Sequence, residues 1–255
     1  MKRVLLTRPD GQNEALEAAL AAAGYRTDSL PLLSITPFSE PQDAPQCALI
    51  RRQIANLDHY RHLIFVSTNA VAAAWPWIAA AWPVLPATLH WYAIGKATAA
   101  ALASHGVAAV SGRQAMNSEE LLAQPALQQV AGDRVLICRA DGGRDHLRTV
   151  LQQRGATVEY CNLYRRQPVV YPPGTLAALL SPAPDFLLLN SSETIQALLD
   201  QAIIDKVRQS VEDVTIIVPG QRVARHASEL GFNRVICARN AGLDAIMDAL
   251  EQANN

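Results

Sequence analysis

The chain has 255 residues, half of them hydrophobic, and a formal net charge of −1. That length suits one large α/β domain or two small ones with a real core, and the composition excludes a disordered chain. Near-neutrality excludes a global field that would draw nucleic acid or an anionic membrane.

No apolar run reaches the ~18 residues of a membrane span. Met1-Lys2-Arg3 is followed only by Val4–Leu6 before Thr7, too short for a signal-peptide core. Cys47, Cys138, Cys161 and Cys237 form no CxxC pair, and Cys138 and Cys237 fall in apolar runs. They read as reduced core thiols, so a cytoplasmic protein is expected. Only Lys2, Lys96 and Lys206 are lysine, and every other basic residue is arginine. Composition bias and arginines forking onto carboxylates or phosphates both remain open as the reason.

Apolar runs predict strands at Val4–Thr7, Leu63–Ser67, Trp91–Ile94, Val107–Val110, Val135–Cys138, Val158–Leu163, Phe186–Leu189, Val214–Val218 and Val235–Cys237. Helical patterns follow most of them, as at Asn13–Ala23, where Leu16 and Leu20 stand one turn apart. Asn117-x-x-Glu120 before Leu121-Leu122 reads as a capping box. Such alternation predicts parallel sheets covered by helices.

Internal repeats sharpen the picture. RVLLTRPDGQNEALEAALAAAGYRTDSLPLL (3–33) aligns without gaps to RVLICRADGGRDHLRTVLQQRGATVEYCNLY (134–164), laying Arg8 over Arg139 and Gly24 over Gly155. LIFVSTNAVAAA lies over FLLLNSSETIQALL, with Ser67 over Ser191. AIGKATAAALASHG lies over VPGQRVARHASELG, with Gly95 over Gly220. The expected fold is α/β, two similar parallel-sheet lobes (flavodoxin- or Rossmann-like) joined by a two-stranded linker. Pro-rich stretches at 37–46 and 165–174 place the two crossings. Residues 1–36 plus 168–255 then form a discontinuous first lobe, and 37–167 the second, including the linker strands. Two lobes joined twice leave a cleft that can open and close.

In open parallel sheets ligands sit beyond the carboxyl ends of the strands. Six strand-to-helix turns qualify: Thr7-Arg8-Pro9-Asp10, Ser67-Thr68-Asn69, Gly95-Lys96-Ala97-Thr98, Arg139–Arg144, Asn190-Ser191-Ser192 and Pro219-Gly220-Gln221. Backbone N–H groups at helix starts suit anions, although Ser, Thr, Asn and Asp there are also ordinary N-caps. RADGGRDHL lacks the GxGxxG and P-loop spacings, so no dinucleotide site is expected. Arg8 and Arg139 have two readings, structural arginines bonding carbonyls or a pair meeting an acidic ligand. The six histidines show no metal spacing, and His59-x-x-His62 reads as surface. GxSxG and HExxH are both absent. Trp75, Trp77, Trp82 and Trp91 read as packing or an exposed loop, with an aromatic wall for a flat ligand as the other reading. Tyr164 ends a predicted linker strand before Arg165-Arg166. Either its phenol is an acid suited to a poor leaving group or the ring packs the linker.

VLLTRP, PLLSITP, FVSTNAV, AIGKATAAAL, SEELL, RVLICRADGGRDHL, VEYCNLYRR and GQRVARHASELGF, in that order, resemble the uroporphyrinogen-III synthase family nearly end to end. The resemblance implies a cytosolic enzyme of tetrapyrrole synthesis that needs no metal or organic cofactor.

 The small-molecule substrate would be hydroxymethylbilane, a linear chain of four pyrroles bearing eight carboxylates, and the product uroporphyrinogen III. The pyrrole expels its own hydroxyl to give an azafulvene cation, and the terminal ring attacks through its substituted carbon. The spiro intermediate then fragments and recloses with that ring inverted, whereas uncatalysed closure gives the symmetric isomer I. The enzyme's part is to help the hydroxyl leave and to hold the chain folded.

The resemblance puts Tyr164 at the family's tyrosine favoured for hydroxyl departure and Thr98 at the threonine of its Gly-x-x-Thr-Ala turn. The matching position in the other copy, often a threonine, is Val223 here. Thr7, Arg8, Ser67, Thr68, Asn69, Gly95, Thr98, Arg139, Ser191, Ser192 and Gly220 are the expected substrate-binding residues. A monomer is expected, with no nucleic-acid or membrane partner, and transient contact with hydroxymethylbilane synthase is left open. The competing readings are a nucleotide- or sugar-dependent enzyme on the same modules and a two-lobed small-anion binding protein.

Overall fold

The computed structural model describes residues 1–111 and 118–253, so the capping box expected at Asn117 lies outside the described residues. The chain divides into two units, Met1–Ser34 with Gln167–Asn255, and Ile35–Arg166.

The first unit holds β1 (Arg3–Leu6) and β2 (Arg26–Ser29). The second holds β3 (Leu33–Pro37, begun in the first unit), β4 (His62–Phe65), β5 (His90–Ala93), β6 (Val110–Ser111), β7 (Arg134–Ala140) and most of β8 (Thr157–Pro168). The chain then returns to the first unit for β9 (Phe186–Leu188), β10 (Thr215–Pro219) and β11 (Val235–Ala238).

The first sheet has the order β11-β10-β9-β1-β2, parallel throughout. The second has the order β3-β8-β7-β4-β5-β6, and its five strands from β8 to β6 are parallel. Laid over each other through the repeats, β1 matches β7, β2 matches β8, β9 matches β4 and β10 matches β5. The two sheets therefore share one strand order, entered at different points of the chain. In that order the direction of winding reverses between β1 and β9, and between β7 and β4, which is where such sheets hold ligands.

β3 is the added strand of the second sheet and runs antiparallel to β8. The Phe38 N–H donates to the Leu163 carbonyl and the Val169 N–H to that of Leu32, so residue numbers run in opposite senses. Each sheet is covered on both faces by its own apolar clusters. Leu5, Leu187 and Ile216 face one cluster of the first unit, and Val4, Leu6 and Leu188 the other. Leu63, Phe65 and Leu136 do the same on one side of the second sheet, and Ile64, Val135 and Ile137 on its other side. Side chains buried on both faces explain why these central strands read as continuous apolar runs. Each such Leu or Ile contributes roughly 1.5–3 kcal/mol by burial.

Two expectations need correcting here. His62 is buried, with 3% exposure, and not a surface residue. Cys237 is only partly buried, whereas Cys138 and Cys161 sit fully inside and pair across β7 and β8. Burial beside Cys161 pushes the Cys138 thiol well above its ordinary pKa, which keeps it protonated and inert. The tryptophans are packing groups: Trp75 stacks on His105, Trp82 donates to the Ile54 carbonyl, and Trp91 stacks on Phe65.

Candidate active site

Tyr164 stands inside β8, not at its end, because β8 continues to Pro168 beside β3. Its placement depends on a break in the strand's alternation. Val158 and Tyr160 pack with Leu147 and Leu151 on one face of the sheet. Cys161 and Leu163 pack on the other, with the helix Thr68–Ala81. Strict alternation would send Tyr164 to the first face. Instead the register slips: Asn162 pairs with Arg139, and Tyr164 with Ala140. Leu163 is the extra residue of a bulge, and bulges re-aim side chains. Tyr164 thereby joins the cluster that holds Leu163, and its hydroxyl meets Ser67 Oγ at 3.0 Å.

Ser67 follows β4 with extended backbone and caps the helix Thr68–Ala81, its Oγ accepting from the Ala70 N–H at 3.1 Å. Thr68 is exposed and Asn69 half-buried in the first turn. Tyr160, four residues before Tyr164, is committed elsewhere. It donates to Asp145 at 2.9 Å, and burial together with that carboxylate pushes its pKa up to about 12.

Arg139 is 7% exposed and serves its own loop. Its guanidinium donates to the carbonyls of Ala140, Gly142 and Arg144, lies 3.5 Å from Asp145 and stacks over the Tyr160 ring. The glycine pair makes room for it: a Cβ on Gly143 would sit 2.6 Å from Arg139 Nη2. The phosphate-like punctuation of this turn is thus a wrapping for an arginine.

Gly95 has φ +85° and opens the helix Lys96–Ala103, with Thr98 buried in its first turn. In the first unit, Gly220 has φ +75° and opens the helix Gly220–Glu229. Val223, the counterpart of Thr98, packs in the apolar cluster beneath that helix, so this position presents no hydroxyl.

Thr7 is fully buried and donates to the Leu188 carbonyl at 2.6 Å, tying β1 to β9. Arg8 donates to the Ala241 carbonyl at 2.6 Å and to Asn190 Oδ1 at 3.4 Å, and burial lowers its pKa. Ser191 caps the helix Ser192–Ile204 in a reciprocal capping box with Thr194. Ser192 Oγ accepts from Arg222 at 3.4 Å.

The structure thus brings Tyr164, Ser67, Thr68 and Asn69 together in the second unit, and Arg8, Asn190, Ser191 and Ser192 together in the first. The turn after β11 belongs with the latter and escapes the sequence reading. Asn240 and Ala241 line a narrow crease with Asn190 and Pro219. Its signal is the Asn-Ala-Gly run at 240–242, a turn composition that follows a strand. A wider depression of about 440 Å³ lies at the opposite, amino ends of β9 to β11, away from all these turns. Among the described residues no group of three His, Cys, Asp or Glu side chains is placed to hold a metal ion.

The family model described as uroporphyrinogen-III synthase HemD matches residues 14–248. The uroporphyrinogen-III synthase of Escherichia coli strain K12 is 33% identical over 97% of this chain and 99% of its own length. That of Salmonella typhimurium is 32% identical over the same shares. The fold is similar to two solved synthases, each 18% identical. That of Thermus thermophilus has a TM-score of 0.63 and is covered over 99% of its length, against 100% of this chain. That of Helicobacter pylori has a TM-score of 0.62, with full coverage of both chains. With its turns, its two α/β units and this match over nearly all its length, the chain belongs to the uroporphyrinogen-III synthase family.

Proposed function

We propose that this chain converts hydroxymethylbilane to uroporphyrinogen III, with loss of water and inversion of the last ring. Family membership across the chain carries the reaction, and the Tyr164–Ser67 pair at the winding reversal of the second sheet supports where it happens. The substrate's ring electrons supply the push. The protein's task is to protonate the departing hydroxyl, orient the terminal ring and hold many carboxylates.

Tyr164 is the proposed acid. The helix starts at Ser67–Asn69, Gly95–Thr98, Ser191–Ser192 and Gly220 offer N–H groups to acetates and propionates. Arg8 fits the same role as a cation at the winding reversal of the first sheet. Arg139 and Thr7 act as scaffold, since their polar atoms are taken by backbone carbonyls. The reaction runs in the cytoplasm on a monomer in this reading. No described helix is long and apolar enough to cross a membrane.

Ligand-dependent melting separates this from the nucleotide reading. Uroporphyrinogen III, binding the folded state, raises Tm, by an amount equivalent to about 2.7 kcal/mol at a hundredfold excess over Kd. NAD, ATP and a nucleotide sugar leave Tm unchanged. Stabilisation by a nucleotide and none by the tetrapyrrole would contradict the proposal.

A further inference from the structure

We propose that Ser67 is a positioning residue that keeps the Tyr164 proton aimed at the substrate and stabilises the phenolate left behind. The inference rests on Tyr164 being the acid, as proposed above. Ser67 Oγ already accepts from the Ala70 N–H and lies 3.0 Å from the Tyr164 hydroxyl. A serine hydroxyl has one proton to give. Given to Tyr164, it fills a lone pair of the phenol oxygen and leaves the phenol proton for another acceptor. The helix start polarises the serine further, because the Ala70 N–H carries the positive end of the helix dipole.

The repeat supplies an internal control. Ser191 occupies the matching cap in the first unit, but the position matching Tyr164 is Leu33. There the serine hydroxyl is engaged by Thr194 of its own helix. The Ser–Tyr contact is therefore not a by-product of capping. It exists where the bulge in β8 delivers a tyrosine to the cap.

The step balances without any co-reactant. The C–O bond of the hydroxymethyl group breaks as the Tyr164 proton passes to its oxygen, and water leaves. The pyrrole's electron pair forms the azafulvene cation, while the phenolate keeps the hydrogen bond from Ser67. The proton released when the terminal pyrrole regains aromaticity after ring closure returns to the phenolate.

Four variants test this: Tyr164→Phe, Ser67→Thr, Ser67→Ala and Ser67→Asp, the last three also in the Tyr164→Phe background. Ser67→Ala is expected to lower kcat roughly 10- to 100-fold, as for a lost hydrogen bond to a charged group, with KM little changed. Ser67→Thr restores most of the rate. Ser67→Asp caps the helix equally well but can only accept, so it draws the phenol proton to itself and is slow although stably folded. In the Tyr164→Phe background Ser67→Ala lowers kcat no further, because the hydroxyl it would position is already gone. A normal rate for Ser67→Asp, or losses that multiply with Tyr164→Phe, overturns the positioning role while leaving the tyrosine reading intact. Near-normal turnover of Tyr164→Phe alone overturns the tyrosine reading instead.

Discussion

At the scale of single residues, buried polar groups are explained by their partners. His62 Nε2 lies 2.9 Å from Asp133 and Nδ1 lies 3.2 Å from the Tyr92 hydroxyl. A carboxylate needs a donor, so Nε2 carries the proton and Nδ1 accepts from Tyr92, which is the neutral imidazole. Burial lowers the His62 pKa below its ordinary value, and Asp133 opposes this without reversing it. Below the unfolded pKa of about 6.5 the unfolded chain takes up the proton first. Stability from His62 is thus present above that pH and lost as pH falls towards the folded value. Melting from pH 8 down to about 5 is expected to show this drop. His62→Gln, which keeps a donor for Asp133 but does not titrate, flattens it. An identical pH profile for both proteins would remove His62 from the account. Arg139→Ala is expected to cost about 2–3 kcal/mol by leaving loop carbonyls without donors, with affinity for the tetrapyrrole little changed. Normal melting with weakened binding would return Arg139 to the ligand.

At the scale of elements, the loop after β7 and the bulge in β8 govern the site. Gly142 and Gly143 both have positive φ, but only at Gly143 would an added Cβ meet a neighbour. Gly142→Ala is expected to cost about 1–2 kcal/mol, the strain of a left-handed non-glycine residue. Gly143→Ala adds a clash with an arginine held by three carbonyls, so it melts at the lower temperature of the two. Equal melting would mean that Arg139 moves aside freely.

Central strands were legible because burial on both faces makes apolar runs. β2 and β3 were not, since each is an edge strand: Arg26–Ser29 is RTDS, and Leu33–Pro37 carries Ser, Thr and Pro. The polar run Arg165–Gln167 reads as the end of a strand, but pairing with β3 carries β8 through it. The bulge was invisible for a different reason. A one-residue slip depends on the partner strand, and nothing local in NLYRR marks it. Sequence periodicity alone would have turned Tyr164 away from Ser67.

At the scale of the whole molecule, two copies of one module share a strand order, and only one copy carries the tyrosine. The repeats in the sequence made the parallel α/β architecture readable, since equal spacing of strand, turn and helix survives even where identities are few. What the repeats do not reveal is which turns keep free polar atoms. Thr7 and Arg139 look like ligands in a row of polar turns, and their hydrogen bonds are spent on backbone. Product analysis tests the reaction itself most directly. Fresh hydroxymethylbilane is given to the purified chain, the products are oxidised, and the uroporphyrin isomers are separated. Predominant isomer III, formed faster than in a protein-free control, is the predicted result. Isomer I alone, at the control rate, would contradict it.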